Sequence, residues 1–204
     1  MLFAFRASSL QTLAIAAVLA LAASPAGAVT LHIVAIGASN TTGFGVGSDH
    51  AYPALLQEML RQKGLNATVT NAGVNGDVTS GMLSRLDAAV PNGTDLVILQ
   101  PGGNDLRFFG TKAARTANIN AMEAKLRARH IRFILYDPDP VPPDFYQWDH
   151  IHFNAAAHAK IAATLAAQIL AQEKTAAPAS PQSAAPQMAS PTPTAAAHQA
   201  APKP

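Results

Sequence analysis

Two hydrophobic periods alternate along the middle of the chain. Leu31 to Ile36 is a mostly apolar run of strand length, the pattern of a strand buried on both faces. Pro53 then suits the first turn of a helix carrying Leu55, Leu56, Met59 and Leu60, which Gly64 stops. Ala67 to Thr70 reads as a short second strand ending in Asn71-Ala72-Gly73. Thr79 to Ala89 reads as a helix with Met82, Leu83 and Leu86 inward, closed by Pro91-Asn92-Gly93. Asp95 to Leu99 is a third strand, entering Pro101-Gly102-Gly103-Asn104-Asp105. A helix over Ala113 to Arg129 precedes a fourth strand, Ile131 to Tyr136. Asn154 is placed to cap a last helix, whose Ile161, Leu165 and Ile169 share one face.

Strand and helix alternate throughout, which specifies an α/β fold: a parallel sheet with helices on both faces, joined by right-handed crossovers. In such sheets chemistry gathers at the carboxyl ends of the strands. Ser39, the stretch Gly73 to Asp77 and the stretch Gly102 to Asp105 each follow a strand. They should converge on one edge.

Composition changes the picture at the two ends. Arg6 gives a basic start, Leu10 to Ala23 is an uncharged Ala/Leu-rich run, and Ala26-Gly27-Ala28 is a small-x-small cleavage site. Residues 1–28 therefore read as a signal peptide, with an uncleaved anchor as the alternative; the run is short for a membrane span. The chain has no cysteine, hence no thiol for a lipoprotein anchor. Export without disulfides fits a periplasmic or secreted protein, although a cysteine-free chain fits the cytoplasm equally well. Residues 175–204 are rich in Ala and Pro with few large apolar groups, so they read as a disordered tail. Between them, residues 29–174 amount to one domain. Losing Arg6 lowers the formal charge from +2 to +1. Without a basic stripe or a basic aromatic patch, nothing supports nucleic-acid binding.

The candidate chemistry is a serine with a histidine and a carboxylate. Ser39 sits just past the first apolar run, and Asp149 stands three residues before His152, ahead of the last helix. A serine hydroxyl is a poor nucleophile until a base lies within hydrogen-bond reach and a third group fixes the tautomer of that base. Each residue also has a plainer reading: Ser39 and Asn104 as turn residues, Gly76 as a left-handed turn glycine. Asp105 is better read as a structural acceptor for loop amides. His150 competes with His152, but the spacing favours His152, with His150 pointing outward. Asp137 and Asp139 shape a turn, or orient a histidine.

With these blocks in order, the chain resembles the SGNH hydrolases (GDSL-type esterases and lipases), and most closely the small bacterial lysophospholipase/thioesterase/arylesterase branch. The residues that carry the resemblance are Gly37-Ala38-Ser39-Asn40-Thr41, Ala51 to Leu56, Asn71 to Thr79, Gly102-Gly103-Asn104-Asp105 and Asp149 to His152. The resemblance implies a flavodoxin-like three-layer α/β/α sandwich. It implies that Ser39 attacks an acyl carbonyl, His152 relays the proton and Asp149 orients the imidazole. The backbone N–H groups of Ser39 and Gly76 and the amide of Asn104 would form the oxyanion hole. No metal or cofactor is implied. The expected partner is a small-molecule acyl ester or thioester, with no membrane span once the signal is cleaved.

Two departures stand out. Ala38 occupies a place where the family usually has aspartate; Asn40 and Asp77 are the groups placed to supply replacement hydrogen bonds. Relatives also usually insert a helix and a strand before the Asp-His block. Here Asp137-Pro138-Asp139-Pro140-Val141-Pro142-Pro143 can be neither helix nor central strand. A sheet of about four strands with a stiff connector across the site is therefore predicted. Phe108, Phe145, Tyr146 and Trp148 then either line the acyl pocket or fill the gap left by the missing strand. The functions in play are an exported (thio)esterase for small or medium acyl chains, a carbohydrate O-acetylesterase, and a non-catalytic binding or metal-holding protein using Asp149, His150, His152 and His158.

Overall fold

The computed structural model describes residues 30–108, 110–137 and 141–176. Four strands, β1 (Leu31–Gly37), β2 (Ala67–Gly73), β3 (Leu96–Gln100) and β4 (Arg132–Leu135), form one sheet in the order β2-β1-β3-β4. Every neighbouring pair is parallel. The helices are α1 (Ser39–Thr42), α2 (Tyr52–Gln62), α3 (Thr79–Ala89), α4 (Asn104–Arg107), α5 (Lys112–Ala128) and α6 (Ala155–Ala176). None of the described helices is long and apolar enough to cross a membrane.

The period-2 pattern of the two central strands sorts the core into two layers. Leu31, Ile33 and Ala35 of β1, with Leu96 and Ile98 of β3, pack against Tyr52, Leu56 and Leu60 of α2 and Ile161, Leu165 and Ile169 of α6. Val34 and Ile36 of β1, with Val97 and Leu99 of β3, face Met82 and Leu86 of α3 and Ile119, Met122 and Leu126 of α5 on the other side. The expected α/β/α sandwich follows directly, and each fully buried Leu or Ile contributes roughly 1.5–3 kcal/mol to it.

The predicted elements are all present, with shifted ends. β2 runs on through Asn71-Ala72-Gly73, because those residues pair with Ala35, Ile36 and Gly37 of β1. A ladder partner, rather than side-chain propensity, holds this edge segment extended. α2 begins at Tyr52 with Pro53 in its first turn, and Gly64 beyond its end takes φ +82°. Asn154 caps the last helix as predicted, accepting the Ala157 N–H at 3.1 Å; that helix extends two residues past the expected boundary of the domain. The signal-peptide stretch and all of the tail beyond Ala176 lie outside the described residues.

Among the described residues no fifth strand lies between Tyr136 and Asp149. A short 3₁₀ turn (Pro143–Phe145) and a single antiparallel bridge, Tyr146 to Phe153, stand there instead. Register brings the chain ends level: Gly37 pairs with Gly73 on one side and Gln100 on the other. The loops after β1, β2 and β3 therefore leave the sheet at one height, which is where the site forms.

Candidate active site

β1 stops at Gly37 because the chain must pass close to its neighbours there. A Cβ on Gly37 would lie 2.0 Å from Thr41 Oγ1 and 2.8 Å from the Gln100 carbonyl oxygen. The chain then winds into the one-turn helix α1, whose Thr41 and Thr42 N–H groups both donate to Ala38 O, and Gly43 closes it at φ +84°. Ser39 is thus the first residue of a helical turn, where a backbone N–H has no partner within the helix. Ser39 is nine-tenths buried and lines a cavity of about 470 Å³.

The glycine block after β2 is tied to this turn by polar contacts. Thr42 Oγ1 donates to Asn75 Oδ1 at 2.6 Å, and Asn71 Nδ2 donates to Thr41 O at 2.8 Å. Gly76 takes φ +76°, the left-handed region in which a Cβ is costly, and does not line the cavity. Asn104, at the start of α4, does line it. One hydrogen of its amide is engaged, donating to Asp77 O at 2.8 Å; the NH₂ group has a second. Its neighbour Asp105 is buried and structural, as predicted. Its carboxylate accepts the Thr79 N–H and the Thr79 hydroxyl, capping α3 from the loop after β3.

With Ala38 buried in the aspartate's place, the loops are tied by Arg85 instead. Asp77 Oδ2 accepts its Nε at 2.8 Å, and the guanidinium then donates to Ala72 O at 2.7 Å and Gly37 O at 3.0 Å. One planar fork thus closes the ends of β1 and β2 over the glycine block. Asp77 was among the residues expected to compensate; nothing in the local sequence pointed to Arg85, eight residues on.

Asp149 and His152 form a closed unit. Asp149 Oδ2 meets His152 Nδ1 at 2.6 Å, while Oδ1 accepts the N–H groups of Ile151 and His152 at 2.9 and 3.0 Å. The backbone N–H of His152, then its ring, then the N–H of Ile151 hold the Asp149 carboxyl well below the usual carboxylate range. The Phe44 ring lies 4.3 Å from the imidazole, centroid to centroid. The turn bearing the pair is fixed by Gln147, whose N–H donates to His152 O and whose side-chain amide donates to Phe44 O and Phe153 O.

Asn40 joins that turn to α1. Its Oδ1 accepts the Phe153 N–H at 2.8 Å and its Nδ2 donates to Ile151 O at 3.4 Å. Among the described residues the Ser39 hydroxyl has no hydrogen-bond partner, so a direct bond to His152 is not formed. The structure thus unites Asp149 with His152 and places Ser39 and Asn104 on one cavity.

Other expectations fare differently. His150 is exposed as anticipated, but with φ +56° it lies on the cavity wall rather than away from it. Tyr146 lines the cavity and packs on the core, and Phe145 packs on the core alone, filling space beside the sheet. Phe108, 52% exposed, and Trp148, 89% exposed, do neither. Trp148 sits at the tip of the turn that Gln147 closes, which turns it outward. Asp137 pairs with Arg115 at 2.7 Å rather than with a histidine; Asp139 lies outside the described residues. His158 is remote in role from Asp149 and His152. It is buried beside Tyr52, accepting the Tyr52 N–H at Nδ1, and desolvation pushes its imidazole down to about 4.

Comparison with known proteins agrees with this geometry. A model of the GDSL-like lipase/acylhydrolase family matches residues 35–200. The chain is 30% identical over 114 residues to "Esterase TesA" of Pseudomonas aeruginosa, covering 55% of this chain and 56% of that protein. It is 30% identical over 115 residues to an "Arylesterase" of Vibrio mimicus, again 55% and 56%. The match thus spans about half the length of these relatives. A crystal structure of TesA superposes with a TM-score of 0.60 at 23% identity, covering 71% of this chain and 98% of that one, a likeness of fold. The family match takes in the turn at Ser39, the Asn104 loop and the Asp149–His152 unit, and on that extent this chain belongs to the GDSL-like lipase/acylhydrolase family.

Proposed function

We propose that the protein is a serine hydrolase that cleaves carboxylic esters or thioesters of small or medium acyl chains through an acyl-serine intermediate. The observation that carries this reading is the Asp149–His152 unit, clasped at both neighbouring peptides by the residue that follows Ser39. Family membership and the likeness to an esterase and an arylesterase support it.

In this reading Ser39 Oγ forms a bond to the acyl carbon while His152 Nε2 takes the hydroxyl proton. The carbonyl π electrons move onto oxygen, where the Ser39 and Gly76 N–H groups and the free hydrogen of the Asn104 amide receive them. Collapse expels the alcohol or thiol, which leaves with the proton from His152. Water repeats the sequence on the acyl-serine and releases the acid. Asp149 accepts the Nδ1 proton throughout, leaving Nε2 as the basic nitrogen. A hydrogen bond between hydroxyl and imidazole is commonly long until substrate closes the site.

The cavity's size supports short and medium acyl groups, and its apolar lining from Leu106, Val141, Tyr146 and Phe153 suits a hydrocarbon tail. The basic, apolar and small-x-small order of residues 1–28 supports export to the periplasm or medium. A fluorophosphonate probe should label Ser39 in the wild type and fail to label His152→Ala. 4-Nitrophenyl butyrate turnover should vanish in parallel. A wild-type protein that neither labels nor hydrolyses any of an acyl-length series removes the reading.

A further inference from the structure

We infer that Asn40 is a positioning residue, setting the His152 imidazole relative to Ser39; the inference rests on the hydrolase reading above. The two atoms that Asn40 holds are the carbonyl of Ile151 and the N–H of Phe153, the peptide groups on either side of His152. Asn40 itself directly follows Ser39 inside α1, a turn fixed by the double hydrogen bond to Ala38 O. The base and the nucleophile are therefore connected by one rigid amide plane and one peptide unit, across 112 positions of sequence (152 − 40).

The other groups that restrain His152 do not make this connection. Asp149 fixes the ring, but from three residues away on the same turn. Gln147 also belongs to that turn, and it reaches the nucleophile's loop only at Phe44 O. Phe153 anchors the turn in the core, beside His158, rather than to α1. Asn40 alone reaches from the nucleophile's helix to both flanks of the histidine.

The chemistry of the clasp is specific to asparagine. It needs a donor and an acceptor held side by side at the end of one methylene. Aspartate keeps the acceptor for Phe153 but sets a carboxylate oxygen against the Ile151 carbonyl. Leucine, of similar size, supplies neither group. Since about 1 Å of misplacement can cost 10²-fold in rate, loss of the clasp should act on the chemical step.

The test is a kinetic double-mutant cycle in the full chain with 4-nitrophenyl butyrate. Asn40→Leu should lower kcat about 10- to 100-fold with KM within about twofold, and slow fluorophosphonate labelling of Ser39 by a similar factor. Asn40→Asp should fall between it and the wild type, and it serves alone if the leucine variant does not fold. In a His152→Ala background, either Asn40 change should cost less than about twofold in the residual rate, because a group acting only through the imidazole has nothing left to position. A general structural defect would instead multiply the loss in both backgrounds. Wild-type kcat in Asn40→Leu, or an equal loss with and without His152, overturns the inference while the hydrolase reading survives. An inactive, unlabelled wild type overturns both.

Discussion

The carboxylate of Asp149 grips His152 twice, at the ring through Oδ2 and at the backbone N–H through Oδ1. The first contact selects the tautomer; the second fixes where the ring starts from. Asp149→Asn keeps an oxygen for the backbone amides but can turn an NH₂ toward Nδ1. Melting temperature should change little, whereas kcat should fall by about 10³–10⁴, as expected for a wrong tautomer. Thermal melts run beside steady-state kinetics separate the two; equal activity in Asp149→Asn would remove the carboxylate from the mechanism.

Asn104 has one amide hydrogen committed to Asp77 O and one to spare. Asn104→Ala should lower kcat about 10²–10³-fold with KM little altered, the signature of a donor used in the transition state. A change confined to KM would mean that the amide merely shapes the cavity.

Gly37 has no room for a side chain: the added methyl of Gly37→Ala would fall on Thr41 Oγ1 and the backbone of Gln100. Because β1 is central, its backbone has no freedom to retreat. Gly37→Ala should destabilise the fold by about 2 kcal/mol or more, read as a lower urea midpoint at unchanged m-value. An unchanged midpoint would show that the sheet edge yields more easily than its packing implies.

His158 is buried neutral, with its imidazole held down to about 4 against 6.5 in the unfolded chain. Between those values the unfolded state binds a proton that the native state refuses. Stability therefore falls as pH drops from about 6.5 to 4, and the loss levels off below that. Asp149 adds a separate loss at lower pH, below 3.8, because its folded carboxyl remains ionised while the unfolded one is protonated. Melting temperatures across pH 4–7 should fall on the acid side in the wild type and fall less in His158→Phe. Parallel curves would assign the acid sensitivity elsewhere.

The sheet was legible because β1 and β3 carry apolar residues on both faces, so Leu31 to Ile36 and Asp95 to Leu99 announce burial without ambiguity. The end of β2 was not, since Asn71-Ala72-Gly73 owes its extended form to hydrogen bonds from β1. In the site, Asp149 and His152 were readable because three residues span one turn. Arg85 and the clasp at Ile151 and Phe153 depend on pairings between distant segments, which no local pattern encodes. The aromatic residues were visible as a group, but which of them would face inward depended on how Gln147 folds the turn.

Trp148 stands at the tip of that turn, is the chain's single tryptophan, and immediately precedes Asp149. Ultraviolet emission from this protein therefore originates at one water-bathed indole next to the acid–base pair. Its wavelength and quenching offer a label-free optical signal of movement in the histidine turn, separate from unfolding of the distant helices.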